Sequence, residues 1–337
     1  MLLIDSLYIN NSGGLRLLEY LVDELQEREI EYYLLADLRC MGKFDRCKHV
    51  QYMKASLWKR KKFYQLNQDR FSKVLCFGNI PAPIRLRVPV YTYFHNINLL
   101  TLNEAHTFSL KIKSWLKREV FRYYKKNTDY WLVQTSNTAN ELIKNLDDKP
   151  EKVKLMPFYN LPKDLSSLYK NKHGDDYVYI STYVPGKEHE NLIESWNILH
   201  NRGINKRLHL TVPLDCYPIA DVIKKLQREG INILNHGLVS FKQVIELYGM
   251  SKAIVYPSHN ESLGLGIVEA LVAGCDVIGA NLSYIHSICH PSVVFDPYNP
   301  ESIADAIEEY EKEENHKSVL TIYNHIDELM ELLSDTI

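Results

Sequence analysis

The chain has 337 residues, 45% hydrophobic and 24% charged, with 40 lysines and arginines against 42 aspartates and glutamates for a net charge of -2. That composition excludes a disordered or collagen-like chain, and at about 150 residues per domain the length suggests two domains with large cores. The small total hides a split: residues 1–160 hold 26 basic and 17 acidic side chains, residues 161–337 hold 14 and 25, and residues 43–126 alone hold 19 basic against 4 acidic.

Short apolar runs alternate with helical patterns along the whole chain. Residues 2–9 read as a strand, followed by Gly13-Gly14, a helix over 15–28 and a second strand over 30–35. Further strands are expected over 49–53, 74–77, 88–94 and 130–134, with helices over 110–126 and 138–145 and a last short strand over 152–156. Strands alternating with helices imply βαβ units and a parallel sheet covered on both faces. A polar, proline-containing stretch from Pro157 to Asp176 reads as a linker. The pattern then restarts. Strands are expected over 177–181, 207–212, 231–234, 253–256, 276–279 and 293–295, and helices over 190–200, 219–229, 241–248, 265–273 and 302–311. Residues 319–333 form one amphipathic pattern through Leu320, Ile322, Tyr323, Ile326, Leu329, Met330 and Leu333, expected as a closing helix. The reading is two doubly wound α/β domains, 1–160 and 161–337, with ligands at the carboxyl ends of the strands and in the cleft between the domains.

The six cysteines include no C-x-x-C pair and read as free thiols of a reducing compartment. The start lacks a basic n-region, so no signal peptide is expected, and no apolar run reaches the roughly 18 residues of a membrane span.

The most informative segment runs from Pro257 to Gly274. A loop carrying Glu261 leaves a strand, Ser262-Leu263-Gly264-Leu265-Gly266 opens a helix, and Glu269 lies about one turn inside it. Glycines let a ligand approach the backbone, and free amides at a helix start attract anions. Carboxylates repel phosphate but accept hydrogen bonds from hydroxyls. The segment therefore suits a phosphate flanked by two polyols, the outline of a nucleotide sugar.

Glu261 and Glu269, with seven residues between them, resemble the E-x7-E motif of retaining glycosyltransferases of the GT-B fold, in particular glycosyltransferase family four. Gly274-Cys275-Asp276-Val277-Ile278-Gly279 is similar to the strand that follows that motif, with Asp276 where proline is usual. Pro185-Gly186-Lys187 and Asn191-Leu192 resemble the segment whose lysine pairs with the donor diphosphate, so that role falls to Lys187; Thr182 stands where a second phosphate-binding arginine is usual. His236-Gly237-Leu238-Val239 resembles the loop lining the base pocket. In the first half, Ser12-Gly13-Gly14 resembles the glycine-rich loop facing the donor phosphates and the acceptor, and His95-Asn96 resembles the position whose histidine faces the donor hexose.

The resemblance implies a retaining hexosyltransferase. Glu261, His95 and Lys187 would be its catalytic residues, and Glu269, Gly14, Ser262, Leu263, Gly264, Leu265, Gly266, Gly237 and Leu238 would bind a donor such as a UDP- or GDP-hexose. No D-x-D pair or zinc spacing is present, so neither a metal nor another cofactor is expected. A sugar-nucleotide epimerase of the same fold and an inactive scaffold relative are the alternatives. The aromatic and basic stretches 58–64 and 110–126 suggest an anionic membrane surface and a glycan or lipid-linked acceptor, as in bacterial surface polysaccharide assembly. That implies a cytoplasmic protein peripheral to the inner face of a membrane. A nucleic-acid partner is disfavoured, because no nucleic-acid module is visible and the second half is acidic.

Overall fold

The computed structural model describes residues 1–10, 12–100, 115, 119–161, 174–259, 261–312 and 317–334. The chain forms two compact units, Met1–Asn160 together with Tyr323–Ile337, and Leu161–Ile322.

The first unit is built on β1 (Leu2–Ser6), α1 (Ser12–Glu27), β2 (Tyr32–Asp37), β3 (Val50–Met53), α2 (Leu57–Asn67), β4 (Lys73–Cys76), β5 (Val90–Phe94), β6 (Tyr130–Val133), α3 (Ser136–Leu146) and β7 (Val153–Leu155). Its seven strands lie in the order β3-β2-β1-β4-β5-β6-β7, every neighbouring pair parallel. Both faces of such a sheet are covered, so the strands are apolar at successive positions. Leu2, Ile4, Leu34 and Leu75 pack on one face with Leu18, Leu21 and Leu25 of α1. Leu3, Leu35, Val74 and Cys76 pack on the other with Phe63 and Tyr64 of α2.

The second unit repeats the plan with β8 (Asp176–Tyr179), α4 (His189–Asn201), β9 (Leu208–Leu210), α5 (Tyr217–Arg228), β10 (Ile233–Asn235), α6 (Phe241–Met250), β11 (Ser251–Tyr256), α7 (Leu265–Val272), β12 (Asp276–Ala280), α8 (Ser283–His286), β13 (Cys289–His290), β14 (Val293–Phe295), α9 (Pro300–Lys312) and β15 (Val319–Leu320). Six parallel strands run β10-β9-β8-β11-β12-β14, and β13 pairs antiparallel with β15. Both large sheets contain the doubly wound order 3-2-1-4-5-6.

Three expectations need correction. The pattern over 319–333 is not one helix of the second domain. Its start is the strand β15, and only α10 (Ile326–Leu333) is helical, belonging to the first unit. Ile326, Leu329, Met330 and Leu333 are buried in the α1 face of that unit, and Lys73 Nζ donates to the carbonyls of Leu332 and Ser334, both at 2.7 Å. The second correction is α2, a helix absent from the sequence reading and capped by the Ser56 hydroxyl, which accepts from the Lys59 amide at 3.4 Å. The third is Arg60, read as part of an exposed basic run. It is buried, its Nε donating to Asp5 Oδ2 at 2.7 Å and its other nitrogens to the carbonyls of Ile80 and Pro81, both at 2.8 Å. Of the expected helix over 110–126, only Trp115 and residues from 119 onward lie among the described residues, and these are helical.

Candidate active site

In the second sheet the chain changes winding direction between β8 and β11, which opens a crevice at their carboxyl ends. The loops leaving these two strands carry the predicted lysine and first glutamate. The last residues of the strands, Tyr179 and Tyr256, meet edge to face with ring centres 5.5 Å apart. The Tyr179 hydroxyl donates to the Lys187 carbonyl at 3.0 Å, and the His259 amide donates to the Gly186 carbonyl at 2.9 Å. Lys187 sits between two left-handed residues, Gly186 (φ +84°) and Glu188 (φ +50°). Its ammonium makes a close ion pair with Glu261 Oε1. That oxygen also accepts from the Ser258 hydroxyl at 2.9 Å and the Tyr256 hydroxyl at 3.0 Å. Burial, and then the Glu261 charge, push the Tyr256 phenol well above its usual pKa, so it remains a donor.

Gly264 follows at φ +62°, and a Cβ there would stand 2.7 Å from Ile288 Cδ1, so only glycine fits. No side chain caps α7, and the amides of Gly264, Leu265 and Gly266 have no hydrogen-bond partner among the described residues. These are the orphan donors of a helix start, aimed where the helix dipole favours an anion. Gly266 is less constrained: a Cβ there would be 3.6 Å from the Tyr248 hydroxyl, an ordinary contact. Leu263 is buried beneath the turn and Ser262 is half-buried. Glu269 is only 5% exposed and accepts from the Tyr248 hydroxyl at 3.5 Å.

The structure brings Lys187, Glu261 and the α7 start to one edge of the sheet. Gly237 (φ +68°) and Leu238 lie at the same edge, in the loop after β10; Leu238 is exposed, as is Leu214 of the loop after β9, which packs beside Gly237. Thr182, which stands where the resemblance leads one to expect arginine, is exposed. Asp276 lies at the opposite, amino end of β12. It accepts from the Ser318 amide at 3.0 Å, the Tyr310 hydroxyl at 2.8 Å and Lys317 Nζ at 3.1 Å, anchoring the chain that enters β15.

In the first unit Gly14 and His95 meet: a Cβ on Gly14 would stand 3.0 Å from His95 Cε1. The His95 amide donates to Asn79 Oδ1 at 2.8 Å, and its Nε2 lies 3.2 Å from both Asn79 Nδ2 and the Phe77 carbonyl. Burial pulls its pKa down to about 4, so the imidazole is neutral at pH 7. Asn79 was not singled out from the sequence. It holds a left-handed φ of +69° at the carboxyl end of β4, and the dipeptide Gly78-Asn79 directly after an apolar run is the signal that could have found it. Arg60 reaches this turn through its bonds to Ile80 and Pro81. Among the described residues no cluster of His, Cys, Asp and Glu has the arrangement of a metal site, and no helix is long and apolar enough to cross a membrane.

Residues 160–325 match the family model described as glycosyl transferases group 1. The O-antigen chain mannosyltransferase B of Escherichia coli is 23% identical over 274 residues. That match takes in 72% of this chain and 66% of the relative, so the chain spans just under two thirds of the relative's length. In three dimensions the chain is similar to Anabaena HepE in complex with UDP, with a TM-score of 0.65, 15% identity and coverage of 92% of this chain and 89% of that one. It is similar to the lipopolysaccharide outer core galactosyltransferase WaaB, with a TM-score of 0.62, 13% identity and coverage of 99% and 95%. It also resembles S. aureus TarM in complex with Fondaparinux, alpha-GlcNAc-glycerol and UDP, with a TM-score of 0.57, 17% identity and coverage of 77% of this chain and 53% of that one, about half of TarM's length. The fold is thus a two-domain, Rossmann-like GT-B fold.

Proposed function

We propose that this chain is a retaining, metal-independent glycosyltransferase that moves a hexose from a nucleoside-diphosphate donor to a glycan or lipid-linked acceptor in surface polysaccharide assembly. The observation that carries this reading is the meeting of Lys187, Glu261 and the open amides of residues 264–266 at the β8–β11 crevice. When the bond from the sugar to phosphate breaks, negative charge gathers on the departing diphosphate. An ammonium and fixed amide dipoles at that point stabilise the transition state more than the ground state. A diphosphate carries more charge than a carboxylate and competes for Lys187. Glu261 is then free to accept hydrogen bonds from hexose hydroxyls, while Ser258 and Tyr256 keep it in place. Glu269 is assigned to the ribose. Gly14 is assigned to the donor phosphates and the acceptor, and the neutral His95 to the hexose.

The test is a thermal-shift panel of nucleoside diphosphates and their sugars on the wild type, Lys187→Ala and Glu269→Ala. A ligand at 100 times its dissociation constant stabilises by about 2.7 kcal/mol. One nucleotide is expected to reach that shift in the wild type and to lose most of it in both variants. Glu261→Ala is expected to keep the fold and lose turnover. A panel with no stabilising nucleotide, or variants that bind as the wild type does, would overturn the assignment. With donor alone, a new sugar nucleotide instead of transfer would mark an epimerase.

A further inference from the structure

Three titratable groups outside the Lys187–Glu261 site form a chain across the second sheet. His209, in the middle of β9, is 2% exposed. Its Nε2 lies 2.9 Å from Asp176 Oδ2, at the start of β8, and its Nδ1 lies 2.9 Å from Nε2 of His236, just after β10. Arg207 also reaches Asp176, at 3.4 Å. The His236 backbone is fixed as well. Its amide donates to the Leu210 carbonyl at 2.9 Å, and the Asn235 side chain beside it bonds the backbone of Val212 and of Gly237. His236 sits directly before Gly237 and Leu238, at the same carboxyl edge as Lys187, and it is exposed.

The hydrogen bonds of this chain have one consistent polarity when both rings are neutral. An ionised carboxylate only accepts, so His209 carries its proton on Nε2. Its Nδ1 is then bare and accepts, which places the His236 proton on Nε2. The Nδ1 of His236 is left as a bare acceptor, and it has no hydrogen-bond partner among the described residues. Burial of the ring and the neighbouring His209 both hold the His236 pKa below its usual value, which keeps the ring neutral at pH 7 and above.

We infer that Asp176 and His209 lock the tautomer of His236, and that its Nδ1 reads a ring N–H of the donor's base. This rests on the nucleotide-sugar reading above. The chemistry sought is a ring N–H acid enough to donate, as at N3 of uracil or N1 of guanine. Exposed Leu214 and Leu238 flank the position and offer apolar surface to the base. Asp176 and His209 are positioning residues; His236 is the one that touches the ligand.

The experiment measures binding of UDP, 3-methyl-UDP, GDP and 1-methyl-GDP to the wild type, His236→Ala and His236→Gln. The nucleotide that binds the wild type identifies the base. Blocking its ring N–H is expected to weaken binding about tenfold, the worth of one hydrogen bond to a site left unpaired. His236→Ala is expected to lose a similar factor for the unmethylated nucleotide and to bind both forms almost equally. His236→Gln, whose amide oxygen accepts, is expected to recover part of the loss. A structural role would not alter the tautomer, so the nitrogen NMR spectrum of His236 at pH 8 is the second readout. It is expected to show a bare Nδ1 and a protonated Nε2 in the wild type and a tautomer mixture in Asp176→Ala. A nucleotide that binds wild type and His236→Ala equally, or an Nδ1 that carries the proton, overturns this inference alone. A protein that binds no nucleoside diphosphate overturns the nucleotide reading with it.

Discussion

His95 shows how a single side chain couples site chemistry to stability. Burial lowers its pKa from 6.5 to about 4, so the folded state resists a proton that the unfolded chain takes up readily. The neutral ring costs nothing above pH 6.5, and stability falls as pH drops from there towards about 4. Urea unfolding of the wild type is therefore expected to show declining stability across that window, and His95→Gln is expected to show a shallower decline. His189, also buried and lowered to about 4, and His236, also held below its usual value, contribute to the slope that remains. An identical pH profile in the variant would remove His95 from this account. At this scale the sequence displayed residue types but not their partners. Lys187 and Glu261 were both singled out in the sequence, yet their mutual ion pair joins positions 74 apart in sequence and arises only when β8 and β11 lie side by side. Arg60 was hidden for the opposite reason. Four cations in a row, Lys59 to Lys62, read as one solvated face, but in a helix successive residues point about 100° apart, and one of the four turns inward to Asp5.

Elements with strict apolar periodicity were readable, and those with mixed faces were not. α7 announced itself by Gly264 and Gly266 between an apolar strand and an apolar helix. The helix α2 did not, because its apolar side chains point both ways: Phe63 and Tyr64 enter the core, while Trp58 and Leu66 are 69% and 72% exposed. Lys59, Lys61 and Lys62 are exposed around them, and Lys62 Nζ lies 5.6 Å above the Trp58 ring. An aromatic ring, a leucine and three ammonium groups on one outward surface suit an anionic leaflet, where each basic residue contributes about 1 kcal/mol near the headgroups. The full chain is expected to sediment with phosphatidylserine-containing vesicles at low salt and to be released as salt rises. A variant with Trp58→Ala, Lys61→Glu and Lys62→Glu, which leaves the inward residues untouched, is expected to stay in the supernatant. Equal sedimentation of the two proteins would take the membrane surface away from α2.

At the scale of the whole molecule, the repeat of one doubly wound plan was legible because each half reproduces the same strand and helix alternation, and the break after Asn160 follows from the polar stretch that begins near it. The return of the C-terminus was not legible. An amphipathic stripe specifies that a helix needs an apolar surface, but not which of two surfaces it finds. α10 finds that of the first unit, tied by the Asn324 amide to the Tyr159 carbonyl at 2.9 Å and by the His325 amide to the Pro157 carbonyl at 2.8 Å. The second unit is thus a chain segment inserted between two parts of the first, and the two cores can be perturbed separately. Leu329, fully buried against α1 and β1, is the probe: Leu329→Ala is expected to cost the first unit about 2–5 kcal/mol through the lost burial and the cavity left behind. In calorimetry that loss is expected to lower one transition and leave the other in place. A nucleoside diphosphate bound at Lys187 is expected to raise the transition that Leu329→Ala does not move, because Lys187, Glu269 and residues 264–266 all lie between Leu161 and Ile322. One transition moved by both the substitution and the nucleotide would mean that the two units unfold together, and that binding energy gained in the second is shared with the helix that closes the first.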